Sequence, residues 1–315
     1  MPQIADTGQA TSATKNMQNK QVPAFLGLVV GAVAMGGSVV FVRLADVGPF
    51  ASAFWRVAIA LPFLLIWMIW EDRRKRERSS GINTKKLNGL TTATVLSGFF
   101  FAGDLIFWHL AILKTSVANA TFMATTAPVF VILLSGLVLR EPANRRSFLG
   151  LALCIAGGGA LMGSTLTIQP QNLVGDVYGL ITAAFFAGYF LCVRIARRTL
   201  GSARIMFFSS CVTAAVLGLA AAIAENDILP MSMAGLGILI ALALTAHVLG
   251  QGLLAISLGF LPAVFSSLII FLEAISAAVF GWLILGEVLS TMQFFGGLLI
   301  LLGIALARPK TKKHP

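Results

Sequence analysis

Charge is scarce in this chain: Asp, Glu, Lys and Arg together fill only 11% of its 315 positions. A soluble protein carries roughly 25%, so this one cannot clothe a water-facing surface. Acidic residues are the scarcer sign, 12 against 23 Lys and Arg, for a formal net charge of +11. That balance would suit nucleic acid only if the basic residues formed one face interleaved with aromatics. They stand instead in short blocks between apolar runs, which excludes a nucleic-acid partner. Cysteine occurs three times, at Cys154, Cys192 and Cys211, each inside an apolar run and without metal-ligand spacing. These are small packing residues. The chain also lacks a Gly-rich phosphate loop, a His-Glu-x-x-His pair and a Gly-x-Ser-x-Gly elbow. No cofactor, metal site or catalytic cluster is therefore expected, and the chain does not read as an enzyme.

What it has in abundance is apolar sequence, 57% of the residues, with a mean hydropathy of +0.90. A spanning helix needs about 20 apolar residues rising 1.5 Å each. That ruler predicts ten transmembrane helices: 24–42, 48–70, 90–112, 117–139, 147–165, 175–193, 203–224, 234–255, 262–285 and 291–307. Most links between them are short, so consecutive helices form antiparallel hairpins. Residues 1–22 are polar, lack the pattern of a secretory signal and read as a disordered cytoplasmic tail; 308–315 reads as a basic cytoplasmic tail.

Orientation follows from the basic residues. With the N-terminus in the cytoplasm, 20 of the 23 Lys and Arg fall on that side and only Arg43 and Lys114 on the other. Seven belong to a loop read from Glu71 to Lys86. Both termini are then cytoplasmic, in a multi-pass protein of the plasma (inner) membrane.

The stretch from Leu110 to Gly157 has an echo. Leu110-Ala111-Ile112, an apolar run ending at Glu141, then Gly150 and Gly157 return as Leu254-Ala255-Ile256, Glu287, Gly296 and Gly303. A fixed-order echo at half the chain length marks a duplicated unit, here residues 23–165 and 166–307. Five spans per copy is an odd number, so the second copy starts from the opposite face. The fold class expected is an all-α membrane protein, two inverted-topology repeats of five helices, an architecture of alternating-access carriers.

The runs closing in Leu139-Arg140-Glu141-Pro142 and Leu285-Gly286-Glu287-Val288, followed by Phe148-Leu149-Gly150 and Phe294-Phe295-Gly296-Gly297, resemble the drug/metabolite transporter superfamily in its EamA-like branch. Phe54-Trp55-Arg56 and Thr115-Ser116-Val117-Ala118-Asn119-Ala120 are similar too, and the resemblance covers about residues 24–307. It implies a permease that exports a small solute. One departure stands out: Pro128 in the fourth helix is kept, but Ala274 replaces the proline common after the acidic midpoint of the ninth. The proline that would pair with Pro128 in a kink of the second half is therefore missing.

An ionisable group at membrane depth costs at least about 2.5 kcal/mol, so each is a functional candidate. Asp104 lies roughly 21 Å into the third helix and His247 roughly 20 Å into the eighth, from opposite faces. Glu273 sits near the middle of the ninth. These three are candidates to line a polar cavity that binds substrate or moves a proton, with mutual pairing as the structural alternative. Trp108 and Gln251, one turn from Asp104 and His247, share their faces. Arg56 lies about two turns into the second helix, able to snorkel to the interface or to attract an anion. His109 reads as interfacial.

The function expected is secondary active transport, by alternating access, of a small metabolite, amino acid or drug-like compound outward across the plasma membrane. Its partners would be a small-molecule substrate, membrane lipid and a proton as coupling ion, in a monomer or homodimer. A lipid-linked-sugar flippase or nucleotide-sugar-type antiporter is the alternative. It would need several basic residues in the cavity, and only Arg56 qualifies.

Overall fold

The computed structural model describes residues 6–78, 89–163, 169–286 and 288–309, and every regular element among them is helical. In chain order the long helices are α1 (Lys20–Leu44), α2 (Pro49–Glu77), α3 (Thr92–Lys114), α4 (Asn119–Val138), α5 (Arg145–Met162), α6 (Pro170–Ala196), α7 (Ser202–Ala224), α8 (Met233–Ser257), α9 (Ala263–Ile284) and α10 (Thr291–Ala307). Eight are long and apolar enough to cross a membrane. The shorter two are α10, at 17 residues, and α5, an 18-residue helix opened by Arg145 and Arg146. The long helices turn apolar side chains outward: Leu137, Phe148, Leu219, Ile223, Trp282 and Leu302 are all exposed. Such a surface needs a hydrocarbon solvent.

Two stretches read from the sequence as irregular are helical. The helix that becomes α1 starts at Asp6, inside the stretch read as a tail. Ala10, Ala13, Lys15, Met17 and Gln18 there are good helix formers despite their polarity. The helix of α2 likewise continues to Arg78, so the basic loop begins later than Glu71. Lys85, Lys86, Glu287 and Lys310 lie outside the described residues.

Contacts sort the helix ends into two faces. On one, Lys20 lies 5.9 Å from the Phe260 ring and Arg308 5.8 Å from the Phe25 ring. Arg204 pairs with Asp72, and Arg194 with Glu141. Both ends of the described chain belong to this basic face. On the far face Ser232 donates to Asp46, the Trp55 indole donates to Ile228 O, and Thr115 and Asn119 both donate to Asp176 Oδ1.

Three packing relations recur in pairs. α5 and α10 cross through glycine: a Cβ on Gly150 would stand 2.6 Å from Gly303 O, and one on Gly303 would stand 2.6 Å from Gly150 O. Gly157 and Gly296 exclude each other in the same way. Only glycine permits this approach of two backbones. α3 packs on α6 while α1 packs on α8, where Gly31 and Gly250 meet. Finally, α2 and α7 cap each other. Glu71, near the end of α2, accepts from Ala203 N at the start of α7 at 2.9 Å; Glu225, just after α7, accepts from Phe50 N and Ala51 N at the start of α2 at 2.7 and 2.9 Å. A carboxylate satisfies the orphan N–H groups of a helix start and suits its positive end.

Four long helices break at mid-course: α1 at Gly37, α2 at Ile59, α4 at Thr126 and α9 at Ile270–Phe271. In α4 the cause is Pro128, whose missing N–H frees a carbonyl. In α9 the break forms without a proline. With Ala274 in place of a proline, the helix tightens into three-residue turns, Ile270 N to Ser267 O, Phe271 N to Leu268 O and Glu273 N to Ile270 O. Such segments mark hinges or functional strain in helices. α8 instead widens into a π-helix over Ala243–Gln251.

Candidate functional site

The breaks surround a cavity of about 120 Å³. Its wall takes Ser38, Val39 and Val42 from α1, Ser52 and Arg56 from α2, Asp104, Trp108 and His109 from α3, and Glu273 and Ala277 from α9. These positions belong to the halves of their helices that lead to the far face, so the cavity lies on that side of the molecule. Its deep end is Phe101, Phe186, Gln251, Ile270 and Phe271.

Toward the basic face the helices behind that floor are locked together. Glu141 Oε1 accepts from Arg194 Nε and Nη2 at 3.0 and 2.8 Å, and its Oε2 accepts from Ala263 N at 3.0 Å. Arg194 Nη1 donates to Leu258 O at 2.5 Å. One carboxylate and one guanidinium thus join the ends of α4, α6 and α8 to the start of α9. Charge-assisted bonds of this kind are about twice as strong as neutral ones.

Five of the six sequence candidates, Arg56, Asp104, Trp108, Gln251 and Glu273, come together on the cavity wall. The Asp104 and Glu273 carboxyls have no hydrogen-bond partner among the described residues, and no ion pair closes between either and Arg56. The Arg56 guanidinium carbon stands 5.8 Å from the Phe101 ring centroid, with Nε unpartnered and buried. Arg56 therefore does not snorkel to the interface. Gln251 Oε1 accepts from the Tyr189 hydroxyl at 3.0 Å, which fixes its amide from behind.

His247 is the exception. The wide turn of the π-helix points it at α7, where Nε2 lies 2.8 Å from Ser210 Oγ. Its ring packs 5.5 Å from Phe101, which also packs 4.8 Å from Tyr189. The imidazole is 1% exposed and supports the floor of the cavity without lining it.

The sequence reading missed His109, placed at the interface by its distance along α3. It is 3% exposed and lines the cavity. Its one available signal was spacing: His109 follows Leu105 by four residues, and Leu105 is the cavity-lining neighbour of Asp104. Ser52, one turn from Arg56, was missed as well. The Glu141–Arg194 lock had no local signature, because its partners are 53 residues apart.

Comparison with known proteins agrees with this architecture. The EamA-like transporter family matches the chain twice, over residues 22–162 and 173–308. The pseudopaline exporter CntI of Pseudomonas aeruginosa (strain PAO1) is 27% identical over 263 residues, 82% of this chain and 85% of that protein. An uncharacterized transporter of Archaeoglobus fulgidus is 30% identical over 168 residues; that match spans about half of each protein, 51% of this chain and 54% of the relative. A second from the same organism is 26% identical over 287 residues, 89% of this chain and 94% of that one. A solved crystal structure shares the fold with a TM-score of 0.77 at 16% identity, covering 91% of this chain and 97% of its own. With both halves of the chain matched, this multi-pass membrane protein belongs to the EamA-like transporter family.

Proposed function

We propose that the chain is a secondary active transporter that exports a small metabolite, amino acid or drug-like compound by alternating access. In this reading all ten helices span the plasma membrane, and they form two five-helix repeats of inverted topology with cytoplasmic termini. The reciprocal contacts support it: an inverted repeat requires that a contact between Gly150 and Gly303 return as one between their counterparts, Gly296 and Gly157, and both are present. The pairing of α3 with α6 and of α1 with α8 follows the same rule. The excess of Lys and Arg on the basic face supports a cytoplasmic assignment for it.

The observation that carries the function is the cavity itself. It holds Arg56, Asp104 and Glu273, lies toward the far face and sits above a locked basic face. In a membrane interior such groups persist where they handle a substrate or an ion. Asp104 and Glu273 are the carboxyls proposed to bind a cationic group or to carry the coupling proton. Arg56 binds an anionic group, Trp108 supplies apolar or cation–π contact, and Gln251 supplies hydrogen bonds. His247 acts through Phe101, which it holds against the floor. Among the described residues Arg56 is the lone Lys or Arg on the wall, which favours a small solute over a phosphate-bearing one.

The test is uptake by purified protein in proteoliposomes across a panel of amino acids, small organic cations and carboxylates. Asp104→Asn and Glu273→Gln should each reduce transport of the accepted compounds at least tenfold while leaving the protein folded. Full activity in both variants would remove these carboxyls from the mechanism. A wild type that transports nothing in a broad panel would sink the assignment to transport.

A further inference from the structure

Three cavity-lining polar groups have buried atoms without a hydrogen-bond partner: Ser52 Oγ, Arg56 Nε and His109 Nε2. An unmade hydrogen bond in a dry interior is costly, so such atoms want an explanation. Here they stand together. Ser52 and Arg56 are one turn apart on α2 and share a face. His109 reaches the same wall from α3, with Phe50 of α2 5.9 Å from its ring and Trp108 5.0 Å from it.

The chemistry of His109 is fixed by its other nitrogen. Nδ1 lies 2.6 Å from Leu105 O. A carbonyl can only accept, so Nδ1 carries the hydrogen, and in the neutral ring Nε2 is left with a bare lone pair, buried in the wall and turned away from that carbonyl. The Nδ1 bond and the two flanking rings hold it in that direction. Ser52 and Arg56 present hydrogens instead. The wall thus holds two unpartnered donors one turn apart on α2 and one unpartnered acceptor on α3.

We infer that Ser52, Arg56 and His109 form a head-group subsite for a carboxylate that carries an N–H or O–H donor on the adjacent carbon. Ser52 and Arg56 bind the carboxylate oxygens and His109 Nε2 accepts from the adjacent donor. The assignment rests on the transport reading for its role, but its recognition chemistry does not depend on translocation. It makes His109 a specificity-determining residue: it separates compounds that have the donor from those that lack it.

The experiment measures equilibrium binding of three radiolabelled compounds of one carbon skeleton to the full-length protein in detergent. They are L-leucine, 2-hydroxy-4-methylpentanoate and 4-methylpentanoate, with an ammonium, a hydroxyl and no donor beside the carboxylate. The wild type should bind one or both donor-bearing compounds about tenfold tighter than the third, the size of one well-placed hydrogen bond. His109→Phe should erase that ratio, His109→Gln should restore part of it, and Ser52→Ala should weaken every compound that binds several-fold. Should His109→Phe fold poorly, His109→Gln and Ser52→Ala carry the test. Equal binding of all three compounds, a ratio that survives in His109→Phe, or binding of none overturns the proposal. Normal binding ratios with no transport in liposomes would sink the transport reading alone.

Discussion

Cys154 donates its thiol hydrogen to the carbonyl of Ile300 across 3.7 Å, and the two residues are 146 positions apart. That is also the separation of Gly150 from Gly296 and of Gly157 from Gly303. The echo in the sequence therefore makes Ile300 the counterpart of Cys154, and these two counterparts meet where α5 crosses α10, as the proposed inverted repeat requires. The glycine pairs flank this point on either side, which explains why α5 and α10 come so close.

Gly150→Ala and Gly303→Ala should each destabilise the protein by about 1–3 kcal/mol, because the new methyl group meets a backbone carbonyl that cannot yield. Thermal unfolding in detergent measures this. Gly136→Ala and Gly297→Ala, where a Cβ meets nothing within 4 Å, serve as controls and should change little.

The reciprocal caps predict matched losses at opposite faces. Glu71→Ala and Glu225→Ala should each cost about 1–2 kcal/mol, the worth of a good helix N-cap. Gly48 and Gly201 should resist substitution for the same reason, since a Cβ on either would fall on the capping carboxylate. A melting temperature unchanged in both glutamate variants would show that the caps do not hold α2 to α7.

His247→Phe tests the division between wall and support. The substitution keeps a ring against Phe101 but loses the bond to Ser210. It should lower stability by about 1 kcal/mol while changing transport less than threefold. A transport loss as large as that of Glu273→Gln would return His247 to the substrate or proton path.

Glu141→Gln should loosen the basic face. Its amide keeps an acceptor for Ala263 N but loses the charge that binds Arg194. Hydrogen exchange at the start of α9 and the end of α6 should rise relative to wild type, with the far-face ends unchanged.

Much of this architecture was legible in the chain because the membrane imposes one length scale. Spans, hairpins and the faces of Arg43 and Lys114 all follow from runs of about 20 apolar residues. Asp104 and Glu273 stood out because charge is rare at depth. His109 did not, because linear distance along α3 ignores how far the cavity reaches toward the far face. His247 was misplaced for a related reason: a π-helix turns more slowly than an α-helix, so the face assigned to it from regular spacing was wrong. The break in α9 was hidden too, since tightened turns at Ile270 and Phe271 do without the proline by which such breaks are recognised.

Alternating exposure of the cavity is the claim on which the rest depends, and thiol labelling from each side of the membrane tests it most directly. Thr125→Cys, on the cavity wall, would be placed in a chain whose three native cysteines are serine and treated with a membrane-impermeant maleimide in right-side-out and inside-out vesicles. The account predicts labelling from both sides, with labelling from the basic face rising when Glu141→Gln is added. Labelling from the far face alone, in both backgrounds, would contradict it.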